Sequence, residues 1–268
     1  MKHRKNTQLV IIDPQNDFCH QEGSLSVPGA SDDMKRLAGF IDRHGDKLMD
    51  IHVTLDCHHF VDIAHPIFWR DQSGQEPAPF TLINKEDVLS GKWQPAHPSF
   101  IQRAKDYVTK LEEGDRYALC IWPPHCLIGS WGNGVYQPLF ESLTKWEQGF
   151  AMVDYVTKGS NIWTEHYSAL KADVIDPEDP STQINTKIIE TLMESDEIIF
   201  AGEAGSHCLA NSVRDLYDVA PDLIAKTTLL TDATSPVPGF EQLQEDFIKD
   251  LAGKGMKLAT TKDYQFKE

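Results

Sequence analysis

Leu9-Val10-Ile11-Ile12-Asp13-Pro14-Gln15-Asn16-Asp17-Phe18 is an apolar run that stops on a carboxylate and enters a turn of Pro, Gln, Asn and Asp. A short apolar run bounded by turn residues reads as a strand buried on both faces, the kind parallel sheets use. Similar runs recur at 51–55, 117–121, 151–156, 197–201 and 227–230, with a further one at 256–259. Helical stretches fall between them, at 32–44, 99–111, 135–143, 182–193, 207–217 and 240–251; in the first, Leu37, Phe40 and Ile41 share one face. The alternation predicts an α/β fold, a mainly parallel open sheet with helices on both faces. Right-handed crossovers place every strand's carboxyl end on one edge, where open α/β sheets bind their ligands. Two stretches interrupt the pattern and read as surface excursions or lids: 70–98, with four prolines, and 171–181, with Asp-Pro repeated.

The 268 residues carry a formal charge of 25 − 41 = −16, with 40% hydrophobic and 25% charged side chains. Disorder and collagen-like repeats are excluded, and residues 1–268 read as one α/β domain able to bury its own core. The acidic balance disfavours nucleic acid and anionic membrane, and points to a small-molecule partner. No apolar run reaches the roughly 18–20 residues of a membrane span, and Met1-Lys2-His3-Arg4-Lys5 leads into a strand instead of a signal core, which reads as cytoplasmic. The five cysteines, 19, 57, 120, 126 and 208, form no CxxC pair, so free thiols are expected.

Polar residues that follow strands are the candidates for chemistry. Asp13 is a candidate acid/base, with a turn or cap aspartate as the alternative. Asp56-Cys57-His58 ends the second strand, and residues two apart in extended chain share a face, so Asp56 and His58 can share a metal. Trp122-Pro123-Pro124-His125-Cys126 supplies a second imidazole after the 117–121 strand. Asp56, His58 and His125 suit zinc, iron or manganese as a Lewis acid; His59, Asp62 and His65 crowd the same segment as alternative or additional ligands. Cys208 follows the small-residue turn Gly202-Glu-Ala-Gly-Ser-His-Cys208 at a helix start, where unpaired N–H groups favour a thiolate and can receive an oxyanion. The alternative for Cys208 is a small buried hydrophobe. Lys158 follows another strand; near a thiol and a carboxylate it would favour both anions.

Together these residues resemble the nicotinamidase/isochorismatase superfamily of cysteine hydrolases. The matching pieces are Asp13-Pro-Gln-Asn-Asp-Phe18, Gly23-Ser-Leu-Ser-Val27, Asp56-Cys-His58, Trp122-Pro-Pro-His-Cys126, Lys158-Gly159 and Gly202-Glu-Ala-Gly-Ser-His-Cys208. The Asp-x-His and Trp-Pro-x-His-Cys pieces resemble the nicotinamidase branch. The resemblance implies a six-stranded Rossmann-like sheet, a catalytic triad of Asp13, Lys158 and Cys208, and one divalent metal on Asp56, His58 and His125, zinc first, iron or manganese otherwise. It implies Phe18 and Trp122 as walls for an aromatic ring, and a cis peptide near Glu203-Ala204 with the Ala204 and Cys208 N–H groups as the oxyanion hole. The implied reaction is deamidation of nicotinamide to nicotinate, feeding NAD salvage; the alternative is another small amide or an N-carbamoyl compound.

The chain departs from the nicotinamidase pattern in three places. Glu203 follows the glycine where an aliphatic residue is usual. Ser206-His207 replaces an acidic-aromatic pair before the cysteine. Asp62 stands where many relatives place a further histidine. The aromatics Phe68, Trp69, Phe80, Trp93 and Phe100 read equally as core or as a self-association surface of a homo-oligomer.

Overall fold

All six residues of β1 (Thr7–Ile12) are buried, so the strand is covered on both faces and lies inside the sheet. The computed structural model describes residues 5–114 and 117–266, leaving Met1–Arg4 of the N-terminal stretch outside the described residues. The chain continues through α1 (Asn16–Cys19), α2 (Ala30–His44), β2 (Asp50–Asp56), β3 (Trp69–Asp71), β4 (Leu82–Ile83), α3 (Lys85–Leu89), β5 (Trp93–Pro95), α4 (Ile101–Glu113) and β6 (Leu119–Cys120). It ends with α5 (Gln137–Glu147), β7 (Asp154–Lys158), α6 (Thr186–Met193), β8 (Glu197–Gly202), α7 (Cys208–Val219), β9 (Thr227–Leu230), α8 (Glu241–Gly253) and β10 (Lys257–Ala259).

Six strands pair in the order β10-β9-β8-β1-β2-β7, every pair parallel. The expected open parallel α/β sheet is therefore present. From β1 the chain builds outward on one side through β2 and β7, then returns to the other side with β8, β9 and β10. That makes the β1/β8 boundary the switch point where such sheets bind ligands. Among the described residues no helix is long and apolar enough to cross a membrane.

One expected strand lies elsewhere. Of 117–121 only Leu119–Cys120 is extended, and it pairs antiparallel with β4, outside the main sheet; the sixth place is taken by β10. A four- or five-residue apolar run specifies a buried strand and not its partner, and here the partner comes from the 70–98 excursion. That excursion is built structure: β3 pairs with β5, and α3 is closed by an Asn84/Asp87 capping box. Phe68 and Trp69 are buried, Trp93 and Phe100 pack against the core, and of the five aromatics in doubt only Phe80 is half exposed.

Gly202 closes β8 at φ +114, where an added Cβ would lie 2.1 Å from the Ile12 carbonyl oxygen and 2.4 Å from its nitrogen. Neither atom can yield without breaking the β1–β8 ladder. Gly202→Ala is expected to destabilise the protein by more than about 2 kcal/mol in urea unfolding, the sum of a disfavoured φ and an overpacked contact.

Candidate active site

The carboxyl ends of β1, β2 and β7 and the turn after β8 bring Asp13, Asp56, Lys158 and Cys208 together. Lys158 is registered beside Asp56 across the β2–β7 ladder, and its ammonium reaches past it toward β1. Nζ lies 2.9 Å from Asp13 Oδ2 and 3.1 Å from Asp56 Oδ1. It also donates to the His166 carbonyl at 2.9 Å and lies 3.7 Å from Cys208 Sγ. All four side chains are buried. Thr54 Oγ1 donates to the other Asp13 oxygen at 2.5 Å and accepts the Asp13 N–H at 3.0 Å.

Burial opposes the charge of Lys158, but the two carboxylates outweigh it and raise its pKa well above the usual range. Burial raises Asp13, with Lys158 pulling down and Asp56 pushing up. Cys208 begins α7, yet burial and the neighbouring carboxylates raise its thiol well above normal against the pull of Lys158. The expected helix-stabilised thiolate is therefore not the resting state. The resting site is a thiol beside a carboxylate that lies close enough to take its proton.

Asp56, His58 and His125 form a second group, with donor atoms all within 4.8 Å of one another. His58 Nε2 lies 3.0 Å from Asp56 Oδ2, and its Nδ1 lies 3.1 Å from Asp62 Oδ2. His125 Nδ1 donates to the Pro123 carbonyl at 2.9 Å, and its Nε2 faces Asp56 Oδ2 at 3.6 Å. Two imidazole nitrogens that converge on one buried carboxylate oxygen are the donor set of a divalent-metal site, so these residues fit such an ion. Asp62 sits behind His58, where it orients the ring without joining the donor group. His65 turns Nδ1 to the Phe60 carbonyl, His59 is exposed, and neither belongs to that group. Gln15 fixes the Asp56 backbone by donating to its carbonyl and accepting its N–H, both at 2.7 Å.

A cavity joins the two groups. Phe18 and Trp122 line it together with Asp56, His125, Ala204 and Cys208. The Glu203–Ala204 peptide is cis. The Gly205, His207 and Leu209 N–H groups donate to backbone carbonyls; those of Ala204 and Cys208 have no hydrogen-bond partner among the described residues. Both are thus available to an oxyanion.

Glu165 and His207 are among the lining residues that sequence reasoning missed. Glu165 is buried with Oε2 unpartnered, and burial raises it to about 8 despite the opposing pull of His58. Nothing in its spacing, in a loop after Lys158, marks it. His207 lines the cavity beside Cys208, whereas Glu203 turns into the core, where it accepts the Ser235 N–H. Ser206 Oγ accepts the Val237 N–H at 3.0 Å and lies 2.8 Å from His207 Nδ1. A buried hydroxyl proton left without an acceptor costs about 1–3 kcal/mol, so Ser206 donates to Nδ1 and the His207 proton sits on Nε2.

No protein-family model matches the chain. A nicotinamidase of Saccharomyces cerevisiae is 25% identical over 229 residues, covering 85% of this chain and 88% of that protein. The structure of the yeast nicotinamidase superposes with a TM-score of 0.64 at 19% identity, over 94% of this chain and 99% of that one. An Acinetobacter baumanii nicotinamidase/pyrazinamidase gives 0.64 at 19%, over 97% and 99%. The zinc complex of Pyrococcus horikoshii pyrazinamidase gives 0.56 at 16%, over 95% and 99%. The resemblance to the nicotinamidase/isochorismatase-like hydrolases, and to their nicotinamidase branch, thus holds in both sequence and fold.

Asp62→Ala is expected to weaken divalent-metal binding about 10–100-fold by calorimetry while leaving the circular dichroism spectrum unchanged. Burial lowers His207 from 6.5 to about 4. The unfolded imidazole then protonates first on acidification, so stability is lost as pH falls through that window. His207→Phe is expected to remove about 3 kcal/mol of the loss between pH 7 and pH 4, at about 1.4 kcal/mol per unit, read from urea unfolding at both pH values. Equal losses in both proteins would mean that the buried imidazole titrates normally.

Proposed function

We propose that this chain, an amidohydrolase with the nicotinamidase/isochorismatase-like fold, deamidates nicotinamide to nicotinate and ammonia through a thioester on Cys208. The observation that carries the reading is the Lys158 ammonium, which joins Asp13, Asp56 and Cys208 and so couples a nucleophile and base to a metal-binding group.

Asp13 Oδ2 takes the Cys208 proton as Sγ attacks the amide carbon, and the Ala204 and Cys208 N–H groups receive the oxyanion. Lys158 stays protonated, balancing the Asp13 carboxylate before the transfer and the negative charge that leaves the sulfur after it. Asp13 returns the proton to the departing nitrogen, and ammonia leaves. A water then loses a proton to Asp13 and attacks the thioester; the acid is released and the thiol regains its proton. Phe18 and Trp122 hold the ring between the two groups.

Asp56, His58 and His125 would hold the divalent ion, and the zinc in the Pyrococcus horikoshii pyrazinamidase structure supports zinc first, with iron or manganese as the alternatives. When bound, such an ion supplies a Lewis acid for the pyridine nitrogen and for water. Nicotinate formation places the reaction in NAD salvage.

Ammonia release from nicotinamide tests the reading. Cys208→Ala and Asp13→Asn are expected to lower kcat at least about 10³-fold with metal content unchanged. His125→Ala is expected to lower metal content and activity together. Near-normal turnover by Cys208→Ala would refute the thioester route.

A further inference from the structure

The cavity lining has two unlike parts. Asp56, His125 and Glu165 are polar, and His125 packs edge-on to Phe18 at 5.4 Å between centroids. His207, by contrast, stands among aromatic rings: Tyr117 stacked at 5.4 Å between centroids, Tyr167 at 5.2 Å, and Trp122 and Phe240 edge-on at 5.3 and 4.8 Å. No charged group perturbs it; burial alone sets its titration, and the ring is neutral at pH 7. Ser206 and Val237 fix the Nδ1 side of the ring, so its rotation is set. Its Nε2–H, on the opposite edge, has no hydrogen-bond partner among the described residues, although His207 lines the cavity next to the nucleophile. An oriented neutral donor on an otherwise aromatic wall serves an acceptor that arrives with the ligand.

We propose that His207 is a specificity-determining residue whose Nε2–H hydrogen-bonds an acceptor carried by the substrate ring on the edge turned away from the metal. This assignment rests on the reading of the cavity as a nicotinamide site, with the carboxamide at Cys208 and the ring nitrogen toward Asp56, His58 and His125. Nicotinamide presents a carbon–hydrogen group on the edge toward His207. A diazine carboxamide that keeps the first nitrogen and replaces that group by a second one presents a lone pair instead. His207 therefore favours azine carboxamides with two ring acceptors, and it does so by hydrogen bonding without charge.

The test compares kcat/KM for nicotinamide and pyrazinamide in metal-loaded wild type, His207→Phe and His207→Gln. Phenylalanine keeps an aromatic ring and removes the donor; glutamine places an amide N–H near the position of Nε2. The pyrazinamide-to-nicotinamide ratio is expected to fall about five- to tenfold in His207→Phe, as loss of one neutral hydrogen bond implies, and to return to within about twofold of wild type in His207→Gln. An unchanged ratio in His207→Phe, with both substrates intact or both reduced alike, overturns the assignment and makes His207 a packing residue. Calorimetric binding of the two amides to metal-loaded Cys208→Ala separates the two readings. If neither amide binds, the nicotinamide reading fails and this assignment falls with it. If both bind, and adding His207→Phe leaves their affinity ratio unchanged, only the assignment to His207 fails.

Discussion

A single buried ammonium holds the site together. Asp13 and Asp56 end neighbouring strands and are both fully buried, an arrangement that repulsion and desolvation would prevent without a cation between them. Lys158 supplies that cation from the edge strand β7. Removing one partner of such a buried group typically costs about 3–5 kcal/mol, because the remaining charge is left uncompensated. The constraint reaches the backbone as well. Gly159, at φ +84, follows Lys158 with no side chain because a Cβ there would lie 2.5 Å from Asp56 Oδ1.

The same charges decide the state of the nucleophile. A helix N-terminus favours an anion by about 0.3–1 kcal/mol, and by about 2 kcal/mol in favourable partly buried settings. Against it stand full burial of Sγ and the carboxylates of Asp13 and Asp56, and these win: the thiol is held protonated. In the proposed reaction the proton therefore has to move, and Asp13 is the group proposed to take it. Thr54 occupies one Asp13 oxygen, so the proposal assigns the proton transfer to the other, which faces Lys158.

The two polar departures of the turn before Cys208 are both buried, and only one of them lines the cavity. Glu203 enters the core, where burial and Asp33 raise its pKa well above the usual carboxylate range, and it does not line the pocket. His207 takes the pocket wall. Asp62, the third departure, moves one layer outward and braces His58 from behind. The three departures thus fall in different layers: the core, the pocket wall and the shell behind a metal-group histidine.

Much of this was legible in the chain itself. The buried run Leu9–Ile12 ending on Asp13, the two-residue spacing of Asp56 and His58, and Cys208 after a small-residue turn are local patterns, governed by strand period and turn chemistry, and local patterns survive in one dimension. All six strands of the main sheet followed from the same rule. The pairing of 117–121 did not, because a short apolar run satisfies any buried partner and only the packed 70–98 excursion selects one. Nor did the ion pairs of Lys158 with Asp13 and Asp56, the orphaned carboxyl of Glu165 or the free donor of His207. Each depends on distances between residues far apart in sequence, and on a desolvation that exists only once the chain has closed around them.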